Sequence, residues 1–168
     1  MFTNNTSKSS EQLTDMLSQI IRVGYVTARQ PEKHRVQVQC KDTVNAPLTT
    51  DWLLCLTPRA SQDMQYDLPD IGDQVLCLFL PIGLEQGFVL GAMYGKQTPP
   101  VSNAEKTHRR FKDGSTIEYD RSAHKLDQQI KGMVETNATG DILIKSAGNI
   151  TIQAAGVVTI QGNPVNIN

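Results

Sequence analysis

Residues 140–168 read GDILIKSAGNITIQAAGVVTIQGNPVNIN, and their apolar side chains alternate with polar ones nearly to the last residue. Glycine recurs every eight residues in this ribbon and just before it, and the spacing continues to Pro164. The recurring positions are Gly132, Gly140, Gly148 and Gly156. Aliphatic residues stand two and four positions after most of these glycines, so the stretch is an internal repeat of eight residues.

The aliphatic positions of the repeat share one face. In extended chain, residues two apart point to the same side, and most odd-numbered positions of the repeat are polar. After Gly162 the apolar positions become odd-numbered, so the inward face is expected to shift there. The residues predicted to face inward are Val134, Ile142, Ile144, Ile150, Ile152, Val158, Ile160, Val165 and Ile167. The four glycines are predicted to form the corners between repeats.

One such ribbon cannot enclose its own apolar face. Burying a large aliphatic side chain contributes about 1.5–3 kcal/mol, whereas ordering each residue of the ribbon costs about 1–2 kcal/mol. Three copies wound round a common axis would bring the aliphatic stripes together and pair strands between chains. A simple hairpin, a flexible terminus and a single-chain β-solenoid are the alternatives, and a solenoid this short would have a thin core and two open ends.

The chain before the repeat divides into three further parts. Residues 1–21 form a polar tail and a short amphipathic helix, with apolar residues at helical spacing. Residues 22–97 follow a period of two and contain five short strands, three of them at residues 50–60, 74–80 and 86–93, separated by turns such as QPEKH at 30–34. This pattern predicts a small closed barrel, for which an OB-type and an SH3-like barrel both remain open. Residues 98–107 form a linker, and residues 108–168 form the repeat-containing domain, in which KDGS at 112–115 predicts a turn between two strands.

Composition limits the classes of function. The net charge is −1, which argues against a protein built to neutralise nucleic-acid phosphates. The cysteines Cys40, Cys55 and Cys77 are dispersed, so we expect buried free thiols in a protein made in a reducing cytoplasm. No secretion signal is visible near the N-terminus, and no apolar run reaches the roughly 18 residues of a membrane helix.

No catalytic constellation stands out. The chain lacks a phosphate-binding glycine loop, a metal-spaced Cys/His set and a supported Ser/His/Asp arrangement. We therefore expect no enzymatic activity and no cofactor. His34, His108 and His124 fall at turns or loop edges and are predicted to be solvated, as is the basic cluster THRRFK at 107–112.

Several segments, in this order, resemble the central spike proteins of contractile tails, the baseplate assembly protein V family, which also occurs in R-type bacteriocins. The segments are GYVTA at 24–28, HRVQVQ at 34–39, LPDIGDQVLCLFL at 68–80, GFVLGAMYG at 87–95, FKDGSTIEYD at 111–120 and the eight-residue repeat. The resemblance implies an all-β chain: an OB-fold barrel followed by a triple-stranded β-helix spike formed by a homotrimer.

The same resemblance implies a structural role at the tip of a tail tube, driven through the outer membrane of the target cell when the sheath contracts. It implies partners among the tail tube and baseplate proteins, and a separate tip protein as a further one. We expect synthesis in the bacterial cytoplasm, assembly into a phage or phage-tail-like particle, and no nucleic-acid partner.

Two departures from the family pattern shape these expectations. Many members end in a His-x-His pair that binds an axial iron, but this chain has NPVNIN at 163–168, so we expect no tip metal. No lysozyme-like domain is inserted either. The alternative function is an OB-fold protein that binds nucleic acid or carbohydrate and oligomerises through its tail. Such binding favours aromatic platforms and a basic groove, whereas the barrel has Trp52 and no Lys/Arg stripe.

Overall fold

A computed structural model of the chain describes Thr14 and residues 19–40, 47–80 and 86–167. It divides the chain into two compact units, Met1–Ala104 and Glu105–Asn168. The regular structure is mainly β. The strands are β1 (Ile21–Gln30), β2 (Arg35–Cys40), β3 (Leu48–Thr49), β4 (Leu53–Cys55), β5 (Gln74–Phe79), β6 (Gly87–Met93), β7 (Lys106–Arg110), β8 (Thr116–Asp120) and β9 (Lys125–Gln129). Within the described ranges, no helix has the length and apolar character needed to span a membrane.

The first unit is a closed barrel. Its strands follow the order β1-β5-β6-β4-β2-β3, and a further pairing of β1 with β2 closes the ring. The pairings are antiparallel except that of β4 with β6, which is parallel. A five-stranded ring with the two-residue β3 added to β2 is the OB-type arrangement, so the expectation of an OB barrel is confirmed.

The predicted strand positions overlap the observed strands, but their ends differ. The predicted strands Gln74–Leu80 and Gln86–Met93 appear as β5 and β6, each one residue shorter. Only Leu53–Cys55 of the predicted third strand, residues 50–60, is a strand, and β3 precedes it unpredicted. Thr14, Gln19 and Ile20 are helical, and the rest of the predicted N-terminal helix lies outside the described residues.

Aliphatic residues and thiols fill the barrel. Val36, Val38 and Cys40 line its interior from β2, as their alternation predicts. The whole core consists of Val26, Val36, Val38, Cys40, Leu53, Cys55, Leu68, Val75, Cys77, Phe79 and Val89. The Arg22 guanidinium lies 5.9 Å from the centre of the Phe79 ring, so a cation covers part of this core aromatic.

The three cysteines are free and buried, which confirms the prediction of structural thiols. Burial raises the pKa of Cys55 to about 11, so this thiol stays protonated at neutral pH. A hydrogen bond with Cys40, and then burial, raises the pKa of Cys77. Because the thiolate is the reactive form, neither Cys55 nor Cys77 is a nucleophile in the folded barrel.

The turn between β1 and β2 corrects one prediction. It is a short 3₁₀ turn at Pro31–Lys33, closed by His34 in the left-handed conformation with φ 52°. His34 is not a solvated side chain: its Nδ1 lies 3.2 Å from the Cys55 carbonyl oxygen, and its ring meets that of Tyr66 edge-on at 5.1 Å. The prediction was wrong because the partners of His34 come from β4 and the segment that follows it.

Candidate functional site

The second unit begins with a three-stranded antiparallel sheet in the order β7-β8-β9. The predicted turn at residues 112–115 joins β7 to β8, and Gly114 adopts φ 86°, which glycine accommodates without strain. The Ser115 hydroxyl donates to Asp113 Oδ2 at 2.9 Å and accepts from the Lys131 amide at 3.0 Å. The turn is therefore fastened to the segment that leaves β9.

One side of this sheet, the charged face, consists of Lys106, His108, Glu118, Asp120, Lys125 and Asp127. Glu118 is its centre. Its Oε1 lies 2.6 Å from Lys106 Nζ, and its Oε2 lies 2.8 Å from His108 Nδ1. The hydrogen bond from Lys106, and then that from His108, lowers the pKa of Glu118. Lys106 also forms an ion pair with Asp120, whose Oδ2 lies 3.7 Å from Lys106 Nζ.

The charged face corrects a second prediction. His108 was expected to be solvated, but its side chain is only 11% exposed and is held by Glu118. The reason is the strand register, which places Glu118 directly opposite His108. His124 is exposed as predicted, at a left-handed position with φ 50° in the turn between β8 and β9.

The opposite side of the sheet, the apolar face, carries Ile117, Tyr119 and Leu126 beside the polar side chains of Thr107, Arg109 and Gln128. The first three side chains are 36%, 42% and 60% exposed, although the Glu118 side chain on the charged face is only 19% exposed. A sheet with one solvated side normally turns its polar residues to water. Here three large apolar side chains are exposed as well, and clusters of exposed apolar side chains often mark interaction surfaces.

The ribbon from residue 130 to residue 167 contains no assigned strand in the described structure. Its predicted inward residues are all exposed, from 44% at Val165 to 85% at Ile167. A single-chain solenoid would pair successive repeats with one another, and no such pairing occurs in these residues. The inward orientation of the nine aliphatic residues and the corner role of the four glycines therefore stay predictions, because the described ribbon contains no strand pairing that tests them.

The charged face makes the sheet sensitive to acid. The pKa values of Glu118 and Asp120 lie below their ordinary values of 4.5 and 3.8, chiefly through Lys106 and through the Ala123 amide respectively. Carboxyls with depressed pKa values stabilise the folded state above the ordinary values, and this contribution is lost as the pH falls through the folded pKa values. Lys106, whose pKa is raised above 10.5 mainly by Glu118, loses its contribution only as the pH rises through that raised value.

We therefore expect Glu118→Gln to lower the thermal midpoint at pH 7 and to reduce the further loss of stability between pH 7 and pH 3. Thermal unfolding followed by circular dichroism across this pH range measures both effects. Glu135→Gln is the matched control, since the Glu135 carboxylate is exposed and accepts only from the Asn137 side-chain amide at 2.8 Å. An unchanged acid response in Glu118→Gln would contradict the stabilising role of the charged face.

Neither unit offers an evident metal site. No group of three or more His, Cys, Asp or Glu residues with suitable geometry occurs in the described ranges. Residues 142–167 contain none of these four residue types. Iron and zinc are held by imidazole, thiolate or carboxylate groups, so these residues do not fit the axial iron that the family resemblance would bring.

The barrel also carries an open cavity of about 400 Å³ at one end of β5 and β6. Its lining includes Tyr25, Tyr94, Asp73 and Lys96. Lys96 is the sole cation among its lining residues. A groove that binds a phosphate backbone usually carries more positive charge than this. The cavity thus gives slight support to the alternative of an OB-fold protein that binds nucleic acid.

The described chain is thus an all-β protein in which an OB-type barrel is followed in sequence by a separate three-stranded sheet and a repeating ribbon. Residues 22–94 match the family described as the type VI secretion system/phage-baseplate injector OB domain. The chain is also 31% identical over 139 residues to the spike protein of Escherichia phage P2, an alignment that covers 82% of this chain and 64% of that protein.

The barrel therefore matches the injector OB domain family, and most of the chain is similar to a phage spike protein. The similarity to the phage P2 protein extends well beyond the barrel, because 139 aligned residues exceed the 73 residues, 22 to 94, of the injector OB domain. The alignment spans 64% of the length of that relative.

Proposed function

We propose that this chain is the structural central spike of a contractile tail, and that it acts as a homotrimer. In this proposal the barrel joins the spike to the tail tube and baseplate proteins. Residues 108–168 of three chains form a triple-stranded β-helix, which is pushed through the outer membrane of the target cell when the sheath contracts. The observation that carries the proposal is the ribbon of nine exposed aliphatic residues on an eight-residue repeat.

Trimer formation is supported by the exposed aliphatic side chains and the unladdered backbone of the ribbon in a single described chain. Six of its isoleucines and valines would contribute about 1.5–3 kcal/mol each if buried. Within one described chain none of them is buried, and the backbone groups of residues 130–167 form no strand ladder. Three chains related by a rotation axis would meet both needs at once, since each ribbon supplies a strand partner and one third of a shared core.

The apolar face of the β7–β9 sheet supports the same assembly. Ile117, Tyr119 and Leu126 are exposed like the aliphatic residues of the ribbon. The sheet and the ribbon both belong to the second unit. The charged face needs no cover, because its carboxylates and cations already pair with one another. We therefore place the apolar face toward neighbouring chains and the charged face toward water.

The proposed action is mechanical and needs no catalytic group. A rod in which three chains are hydrogen-bonded along their length transmits an axial push without a hinge, and its polar odd-numbered side chains, such as Lys145 and Gln153, face outward. The energy for crossing the membrane comes from sheath contraction. No hydrolytic step is required of the spike, and no separate tip protein is needed for the push.

Native mass spectrometry tests this proposal against nucleic-acid binding. We expect the full chain to appear as a trimer at micromolar concentration and to ignore a single-stranded oligonucleotide at moderate salt. When isotopically labelled and unlabelled trimers are mixed, we expect no exchange of subunits over a day, because interlocked strands must unpair before chains separate. A monomer, or exchange within minutes, would rule out the interlocked spike. Oligonucleotide binding at moderate salt would favour the alternative function.

A further inference from the structure

The outside of the barrel carries a continuous apolar row that crosses four strands. In the observed register Ile21 of β1 lies beside Leu78 of β5, Leu78 beside Phe88 of β6, and Phe88 beside Leu54 of β4. The buried residues of these strands, such as Val75 and Val89, alternate with the members of the row. The row therefore points away from the core, and Ile21 and Leu54 at its two ends are 59% and 42% exposed.

The outer surface of the barrel is polar on β2, in contrast to the apolar row. The outward residues of β2 are Arg35, Gln37 and Gln39, the polar pattern that is usual where a sheet meets water. Four adjacent strands with large apolar residues at one level form a contiguous patch rather than scattered surface residues. Patches of this kind mark surfaces that bind another segment or another protein.

We propose that the row binds the amphipathic N-terminal segment of the same chain, residues 13–20. The residues of this segment other than Thr14, Gln19 and Ile20 lie outside the described structure, and the proposal rests on their sequence. Leu13, Met16, Leu17 and Ile20 recur at helical spacing and make one apolar stripe. No other role for this stripe is evident, and the side chains at the two ends of the row, Ile21 and Leu54, are exposed in the described structure.

The dimensions and the connection agree with this occupant. Four strands at about 4.8 Å spacing give a row about 14 Å long, and eight helical residues give a stripe about 12 Å long. The segment enters β1 at Ile21, which is itself the first member of the row. A helix that leaves Ile21 across the strands therefore passes over Leu78 and Phe88 and brings Leu13 close to Leu54.

The covalent connection favours the same chain over a second copy. An isolated helix of about nine residues is marginal in water, so the segment needs a surface to be ordered. A short tether keeps it at an effective concentration in the millimolar range relative to its own barrel. Within the proposed trimer, only the chain's own segment is joined directly to Ile21, the first member of the row.

Disulfide trapping tests the proposal in the full chain. We expect Leu13→Cys combined with Leu54→Cys to form an intrachain disulfide under mild oxidation at least tenfold faster than Leu13→Cys combined with Gln39→Cys. Gln39 is the matched control, because it is exposed and lies on the polar outer side of β2. Peptide mapping without reduction identifies the bond, and the native cysteines are buried and unavailable. Equal rates for the two pairs, or a bond between chains, would overturn the proposal.

A measurement without substitutions covers the case in which the cysteine variants fold poorly. In the wild-type chain with labelled leucine and isoleucine methyl groups, we expect nuclear Overhauser contacts from the methyl groups of Leu17 to those of Leu78. Contacts that occur only between differently labelled chains would show that a second copy occupies the row. Absence of any contact from the segment to the row would also reject the proposal.

Discussion

Replacing Ile152 by aspartate should abolish the trimer. In the proposed spike three copies of this residue meet near one axis, so the substitution places three like charges in an apolar core. An uncompensated buried charge costs about 3–5 kcal/mol, so three of them, which also repel one another, offset most of what the two neighbouring aliphatic layers contribute at about 1.5–3 kcal/mol per side chain. Sedimentation of the full chain at micromolar concentration measures the result, which we expect to be monomers or non-specific aggregates.

Gln153→Asp is the matched control for this substitution. It introduces the same charge one residue further along the chain, at a position that the repeat places on the solvated side. We expect this variant to remain a trimer with a nearly unchanged thermal midpoint. If the two aspartates had equal effects, the proposed register of the repeat would be wrong, whatever the oligomeric state of the parent chain.

Truncating Leu53 to alanine should destabilise the barrel by about 2–5 kcal/mol, because a fully buried leucine leaves both lost contacts and a cavity. Urea unfolding, followed by the fluorescence of the neighbouring Trp52, reports on this unit. Leu56→Ala is the control: the same atoms are removed from a side chain that is 57% exposed, and we expect a change below about 0.5 kcal/mol. Similar losses in both variants would contradict the described position of Leu53 inside the barrel.

Features that depend on neighbouring residues in sequence could be predicted. Alternation on β2 identified Val36, Val38 and Cys40 as interior residues, and the turn residues near Gly114 located the hairpin that joins β7 and β8. Both succeed because side-chain direction in a strand and turn conformation are properties of a few adjacent residues. The closed barrel followed from the number and length of such strands.

Features that depend on register or on distant segments could not be predicted. The burial of His108 requires Glu118 to lie opposite it, and that of His34 requires Cys55 and Tyr66 beside the turn. The short β3 strand and the parallel pairing of β4 with β6 likewise arise from tertiary packing rather than local propensity. The ribbon is the extreme case, since the partners proposed for it are other chains, and only the structure of an assembly can test its pattern.

The parallel pairing of β4 with β6 also sets an order of events during synthesis. The ring of the barrel cannot close until β6 has been made, because β6 is the strand that joins β4 to β5. Ribosomes add about 5–20 residues per second, so residues 94–167 take roughly 4–15 s more. Small all-β domains fold in about milliseconds to seconds. The barrel can thus be complete before the last repeat leaves the ribosome, so the proposed trimer would form from chains whose barrels are already closed.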